Sequence, residues 1–232
     1  MAHLCRVLPK EQTIRMHYAN CNTYNADFDG DEMNVHLPQS YQAHSEAYSL
    51  MATHKQYCVP TSGKPIRGLI QDSVVSGVFL TSKDTFIDKE KYNQLVYVGL
   101  RELIETDKIG KIITLPPAIL KPKPLWTGKQ IISLVIPLVS LKRKGGSDWD
   151  CHKDSNVLIS NGELICGVMN KGIVGSSGGG LVHIVWRDIG PYACRDFMSN
   201  LQNIVNNWLQ GNGFTVGVQD MIAGEETTKK IQ

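Results

Sequence analysis

The sequence predicts an α+β chain, and three observations carry that prediction. Val157-Leu158-Ile159-Ser160 and Glu163-Leu164-Ile165-Cys166 flank Asn161-Gly162, the dipeptide that closes a type I′ hairpin between two strands. Met198, Leu201, Ile204, Val205, Trp208 and Leu209 recur at spacings of three and four, which places them on one helix face. Near the N-terminus, short alternating segments enclose an acidic stretch, so strands are expected on both sides of it.

In chain order, residues 4–8 and 13–18 partly alternate, with Ile14, Met16 and Tyr18 on one face, and are expected to be strands entering the acidic stretch. Met33-Asn34-Val35-His36-Leu37 alternates again and is expected to leave it as a strand, with His36 packed or on the surface. Pro38 closes that strand. Ser40 then fits the N-cap of a helix reaching about Thr53, with Ala43, Ala47, Leu50, Met51 and His54 as a core-facing stripe. Thr61-Ser62-Gly63-Lys64-Pro65 is a turn signal, and a boundary is expected between residues 52 and 64.

A helix is predicted over Gly68–Gly77, with Leu69/Ile70, Val74 and Val78 on one face. Asp88 fits the cap of the next helix, which turns Tyr92, Leu95, Val96 and Leu100 inward. Pro116-Pro117 and Lys121-Pro122-Lys123-Pro124-Leu125-Trp126 form a proline-stiffened extended segment. Lys142-Arg143-Lys144-Gly145-Gly146-Ser147 has the composition of an exposed loop. Gly175-Ser176-Ser177-Gly178-Gly179-Gly180 lacks the Gly-Lys-Ser/Thr ending of a phosphate-binding loop and reads as a turn. Gly211 stands where the residue after the last helix turn is expected.

Among 232 residues, 24 Lys and Arg stand against 22 Asp and Glu, so overall charge does not announce a nucleic-acid binder. Arg6, Lys10, Arg15, His3 and His17 nevertheless face a single Glu11 just before the acidic stretch, a flank suited to a phosphate backbone. The six cysteines are scattered singly with no Cys-x-x-Cys pair, which argues against a zinc site or disulfide framework. No apolar run approaches the ~18 residues of a membrane span, and the start lacks a signal-peptide layout. A soluble, intracellular chain with reduced thiols and no membrane partner is expected.

The chemistry concentrates in Tyr24-Asn25-Ala26-Asp27-Phe28-Asp29-Gly30-Asp31-Glu32-Met33-Asn34. Crowded carboxylates repel unless a cation sits among them. Gly30 allows a sharp bend that brings Asp27, Asp29 and Asp31 round one point. Hard oxygen donors without His or Cys select Mg²⁺, Mn²⁺ or Ca²⁺ over zinc. A solvated acidic loop is one alternative. A calcium loop of the EF-hand type is another, but counted from Asn25 its twelfth position is His36, where a bidentate Glu is required. An Asp-x-Asp hydrolase or sugar-nucleotide transferase site is a third, and leaves Asp31 and Asn25 unexplained. Phe28 suggests that one side of the stretch is packed.

Asn25-Ala26-Asp27-Phe28-Asp29-Gly30-Asp31-Glu32-Met33-Asn34 resembles the signature of the largest subunit of multisubunit DNA-directed RNA polymerases. Further similarity lies in Leu80-Thr81-Ser82-Lys83-Asp84-Thr85-Phe86, in 121–130 and in Gly213–Asp220, and it covers essentially the whole chain. The resemblance leans to polymerase I over polymerase II. It implies that Asp27, Asp29 and Asp31 hold the catalytic Mg²⁺ and that Asn25 reads the ribose hydroxyls of the incoming nucleotide. The fold it implies is part of a double-psi β-barrel carrying the metal loop in residues 1–55, followed by a mixed helical and β-hairpin pore domain in 56–232. It further implies Mg-dependent nucleotidyl transfer from NTP to an RNA 3′-OH on a DNA template, in the nucleus, together with the second-largest and smaller subunits. Largest subunits of this family are several times longer. The bridge helix, trigger loop, clamp and zinc sites are missing from these residues, so the segment is expected to be inactive alone.

Overall fold

A computed structural model describes residues 1–107, 114–144 and 154–231. The core is built round helix α8 (Pro191–Asn212), which starts with Pro at its first turn and buries Cys194, Phe197, Met198, Leu201, Ile204, Val205 and Trp208. Proline suits that position because its missing N–H is one the helix start leaves unpaired anyway. Three helices pack against α8: α3 (Asp72–Thr81), α4 (Lys89–Asp107) and α7 (Leu181–Asp188). From α4 come the buried Tyr92, Leu95, Val96 and Leu100. The Asp88 carboxylate accepts from Lys91 N–H at 2.9 Å, as its cap role predicts.

Beside this helical layer lies a three-stranded antiparallel sheet in the order β3 (Leu141–Arg143), β4 (Val157–Ser160), β5 (Glu163–Cys166). Asn161 (φ 49°) and Gly162 (φ 81°) join β4 to β5, the two positive-φ positions that a type I′ turn demands. Val157, Ile159 and Leu164 enter the core. Helix α5 (Gly128–Ser133) packs on β5 and is opened by a capping box between Thr127 and Gln130. A two-residue pair, β1 (Phe86–Ile87) with β2 (Trp126–Thr127), ties the proline-stiffened segment to the body. There Trp126 stacks on Tyr92, ring centroids 4.6 Å apart and 14° from parallel. That segment is thus part of the fold.

Residues 170–190 run through the short helix α6 (Lys171–Val174) and a turn at 175–180 into α7. The C-terminal residues add a 3₁₀ turn at Val218–Met221 and helix α9 (Glu225–Ile231). No described helix is long and apolar enough to cross a membrane.

The first 60 residues depart from expectation. No strand forms over 4–8, 13–18 or 33–37; the pairing in this region is limited to isolated bridges, Ala2 with Ala52 and Cys58 with Pro65. Leu4, Val7, Ile14, Val35 and Leu37 are exposed. Alternation makes a strand only when a second strand satisfies its N–H and C=O groups, and no described segment offers one. Tyr18 instead opens helix α1 (Tyr18–Tyr24). Ser40 does cap a helix, its Oγ accepting from Ala43 N–H at 3.1 Å. That helix, α2 (Tyr41–Glu46), widens into a π turn at Ala47–Met51. Its expected core stripe lies at the surface, with Ala43, Leu50 and Met51 exposed.

Three smaller corrections follow the same logic of packing over pattern. Helix α3 begins at Asp72 rather than Gly68, and it buries Ser73, Ser76, Gly77 and Leu80 while Val74 and Val78 are half-buried. Small residues let α3 approach α8 closely enough for Ser76 Oγ to donate to Val205 O at 2.6 Å. Lys142 and Arg143 lie in β3 and not in a loop, paired with Leu158 and Val157; residues 145–147 fall outside the described residues. Finally, α8 runs past Gly211, and Gly213 at φ 71° ends it.

Candidate metal centre

The acidic stretch hangs from the C-terminus of α1. His17 caps the start of that helix, its Nδ1 accepting from Ala19 N–H at 3.1 Å, and Ala19 and Cys21 are buried. Asn25 ends it in the left-handed region (φ 49°), its N–H donating to Cys21 O, and Ala26 N–H donates to the same oxygen at 3.0 Å. Asparagine tolerates that conformation better than other residues bearing a Cβ.

From there the chain folds back on itself. Gly30 takes φ +118°, with nothing within 4 Å of where a Cβ would stand. Its glycine is therefore required by backbone conformation and not by crowding. The bend lets Asp27 N–H donate to the Asp31 carboxylate at 3.1 Å. One carboxylate oxygen from each of Asp27, Asp29 and Asp31 then lies within 4.8 Å of the others, all three residues being exposed. Glu32 is not part of this group.

Electrostatics agree with the geometry. The Asp29 carboxyl is held above the usual carboxylate range, first by a hydrogen bond with Asp27, then by the charge on Asp27 and, more weakly, by that on Asp31. Such mutual repulsion is what a cation relieves. Oxygens sharing one Mg²⁺ at about 2.1 Å lie at most about 4.2 Å apart, so the trio needs only a small side-chain rotation to share an ion. The donor set of three hard oxygens, with no nitrogen or sulfur, fits Mg²⁺, Mn²⁺ or Ca²⁺.

Phe28 is less packed than its hydrophobicity suggested: it is 63% exposed and lies edge-on to Tyr18, centroids 5.4 Å apart at 85°. Asn25 is exposed and serves as the C-cap of α1, two residues ahead of the first aspartate. His36 is at the surface. Residues 32–39 contain no helix, whereas a calcium loop of the EF-hand type is followed by one. Most of the basic flank is exposed, with His3 half-buried beside the Tyr24 ring, and its Arg15 pairs with Glu11 at 2.8 Å.

Sequence reading missed α1 itself, because Tyr18–Tyr24 has no apolar helical period and its cap is a histidine. It also missed Arg67, whose guanidinium hydrogen-bonds Asn20 of α1 and lies over the Tyr57 ring, 5.8 Å from its centroid. An Arg between Ile66 and Gly68 carries no motif that would have singled it out.

A loop of three aspartates bent round a glycine, set on a helix-rich domain, makes a candidate centre for a hard divalent cation. Comparison with known families places the chain. The model described as RNA polymerase Rpb1, domain 2 matches residues 1–53, and that described as RNA polymerase Rpb1, domain 3 matches residues 56–221. The chain belongs to the family of RNA polymerase largest subunits. It is 49% identical over 97% of its length to DNA-directed RNA polymerase I subunit rpa1 of Schizosaccharomyces pombe. It is 43% identical over 99% to DNA-directed RNA polymerase I subunit RPA190 of Saccharomyces cerevisiae, and 37% identical over its full length to DNA-directed RNA polymerase I subunit 1 of Arabidopsis thaliana. These relatives are of the polymerase I class that the sequence favoured. The chain spans 14% of the length of each of the two yeast proteins.

Proposed function

We propose that this segment carries the catalytic metal loop of a nuclear DNA-directed RNA polymerase of class I, with Asp27, Asp29 and Asp31 holding Mg²⁺. The observation that carries the reading is the convergence of those three carboxylates to within 4.8 Å of one another. Family membership and the names of the relatives support it. Bound Mg²⁺ supplies the Lewis acidity that favours attack of an RNA 3′-hydroxyl on a nucleoside triphosphate and stabilises the charge that develops. The chain's own contribution is to hold three negative charges together on a bent backbone, so that little reorganisation is needed when the ion arrives. Asn25, with an amide that both donates and accepts, would distinguish ribose from deoxyribose by pairing with a hydroxyl.

In this reading residues 1–55 are the catalytic module and 56–232 the pore domain, a division supported by family matches that change over between residues 53 and 56. The unpaired alternating segments of the first module are the part of a double-psi β-barrel that this chain contributes. DNA template, nascent RNA, NTPs and the second-largest and smaller subunits are the partners, and the nucleolus is the place. The segment is inactive without them.

The test is Asp29→Ala in the intact polymerase. Elongation from a primed template is lost while the subunits still assemble, because the change removes a ligand and no core volume. Failure of assembly would instead assign the loop a structural role, and undiminished elongation would remove it from the metal site.

A further inference from the structure

The acidic loop is only as well placed as α1, and α1 is a seven-residue helix at the edge of the molecule. A helix that short does not hold its position by itself. Beside the burial of its Ala19 and Cys21, a charged side chain from the core region reaches it. Arg67 Nη1 donates to Asn20 Oδ1 in the middle of α1, and both residues are partly buried. The same guanidinium lies over the ring of Tyr57, a core residue that is 3% exposed. The backbone beneath Arg67 is fixed on both sides: Ile66 N–H donates to Tyr57 O at 2.8 Å, and Leu69 N–H donates to Val174 O at 2.9 Å. Arg67 therefore starts from a rigid part of the pore region and ends on the helix that carries the aspartates.

We infer that Arg67 is a positioning residue for the metal loop, acting through Asn20 to set how the three carboxylates are presented to the ion. This rests on the reading of the loop as the Mg²⁺ site. Arginine suits the task because its planar head stacks on an aromatic ring and donates in the same plane, which fixes direction as well as distance. Lysine in its place would keep the charge and lose the stacked geometry. Arg67 does not touch the aspartates; its effect reaches them through α1 and the Asn25 cap. Partners behind a metal ligand commonly change metal affinity by about tenfold or more, and a tie one step further back should act in the same direction with a smaller effect.

The experiment uses the intact polymerase and measures single-nucleotide extension as a function of Mg²⁺ concentration. Arg67→Met, Asn20→Ala and the double variant are compared with wild type, and Arg67→Lys serves as the conservative control. We expect each single variant to raise the Mg²⁺ concentration for half-maximal rate by about threefold or more. The rate at saturating Mg²⁺ should fall less, the double variant should be no worse than either single one, and Arg67→Lys should recover part of the shift. A Mg²⁺ curve within about twofold of wild type for Asn20→Ala, which removes the bond from the surface side, overturns the inference. So does loss of assembly in both single variants, which would make the pair structural only. Asp29→Ala run alongside separates the two ideas: if it extends RNA, the reading of the loop fails, whereas if it is dead and the Arg67 variants match wild type, only the positioning role fails.

Discussion

Asp27 and Asp31 are tied across the bend they enclose, the backbone N–H of the first donating to the carboxylate of the second at 3.1 Å. That bond uses one lone pair of Asp31 to shape the loop and leaves the remaining oxygen positions for a cation. It also makes Gly30 decisive, since the bend depends on a backbone angle of φ +118°.

Gly30→Ala should therefore damage the site without touching the core. The strained conformation costs of order 1–3 kcal/mol, comparable to the energy holding an exposed loop in one shape, so the loop should relax and separate the carboxylates. In the intact polymerase we expect normal assembly, a raised Mg²⁺ requirement and a slower extension rate. Extension assays across a Mg²⁺ series check this.

Away from the site, Lys129 and Asp154 form the buried ion pair of the sheet layer, 2.6 Å apart with side chains 14% and 9% exposed. Asp154 also accepts from Gly167 N–H at 2.7 Å, and Lys129 donates to Gly167 O at 2.9 Å. Asp154→Ala strands a buried ammonium and an unpaired amide, which should cost about 3–5 kcal/mol. Lys129→Met together with Asp154→Leu should recover much of that loss. Urea unfolding of the segment followed by tryptophan fluorescence gives both numbers.

Cys194 sits in the core with no exposed surface, and burial pushes its thiol up to about 12, with a smaller contribution from the nearby Cys58. The folded form thus resists ionisation that the unfolded chain, near 9, undergoes freely. Its contribution to stability is complete below pH 9 and is lost as pH rises from there towards 12. The loss should reach about 2 kcal/mol by pH 10.5, and Cys194→Ala should flatten that slope. Unfolding curves at pH 8, 9.5 and 10.5 check it.

Much of this molecule could be read from its residues. Asn161-Gly162 gave the hairpin because two adjacent positive-φ positions have few other uses. The apolar period of residues 198–209 gave α8 because a long helix averages over local exceptions. The convergence of Asp27, Asp29 and Asp31 was legible because three carboxylates round a glycine is a pattern with a chemical reason. The flanking strands were not recovered: alternation in 4–8, 13–18 and 33–37 describes a face waiting for a partner, and it says nothing of which segment supplies that partner. The buried face of α3 was hidden for a different reason. The expected face ran through Val74 and Val78, whereas the close approach of α8 favours the small Ser73, Ser76 and Gly77.

The central claim is that Asp27, Asp29 and Asp31 share one divalent ion, and a radical footprint tests it most directly. Fe²⁺ loaded into the intact polymerase in place of Mg²⁺, with ascorbate and peroxide, generates hydroxyl radicals that cut the backbone within a few ångströms of the bound metal. We expect cleavage centred on residues 27–31, suppressed by excess Mg²⁺ and absent in Asp29→Ala. Metal-dependent cleavage elsewhere in the chain with none at 27–31 would contradict the claim.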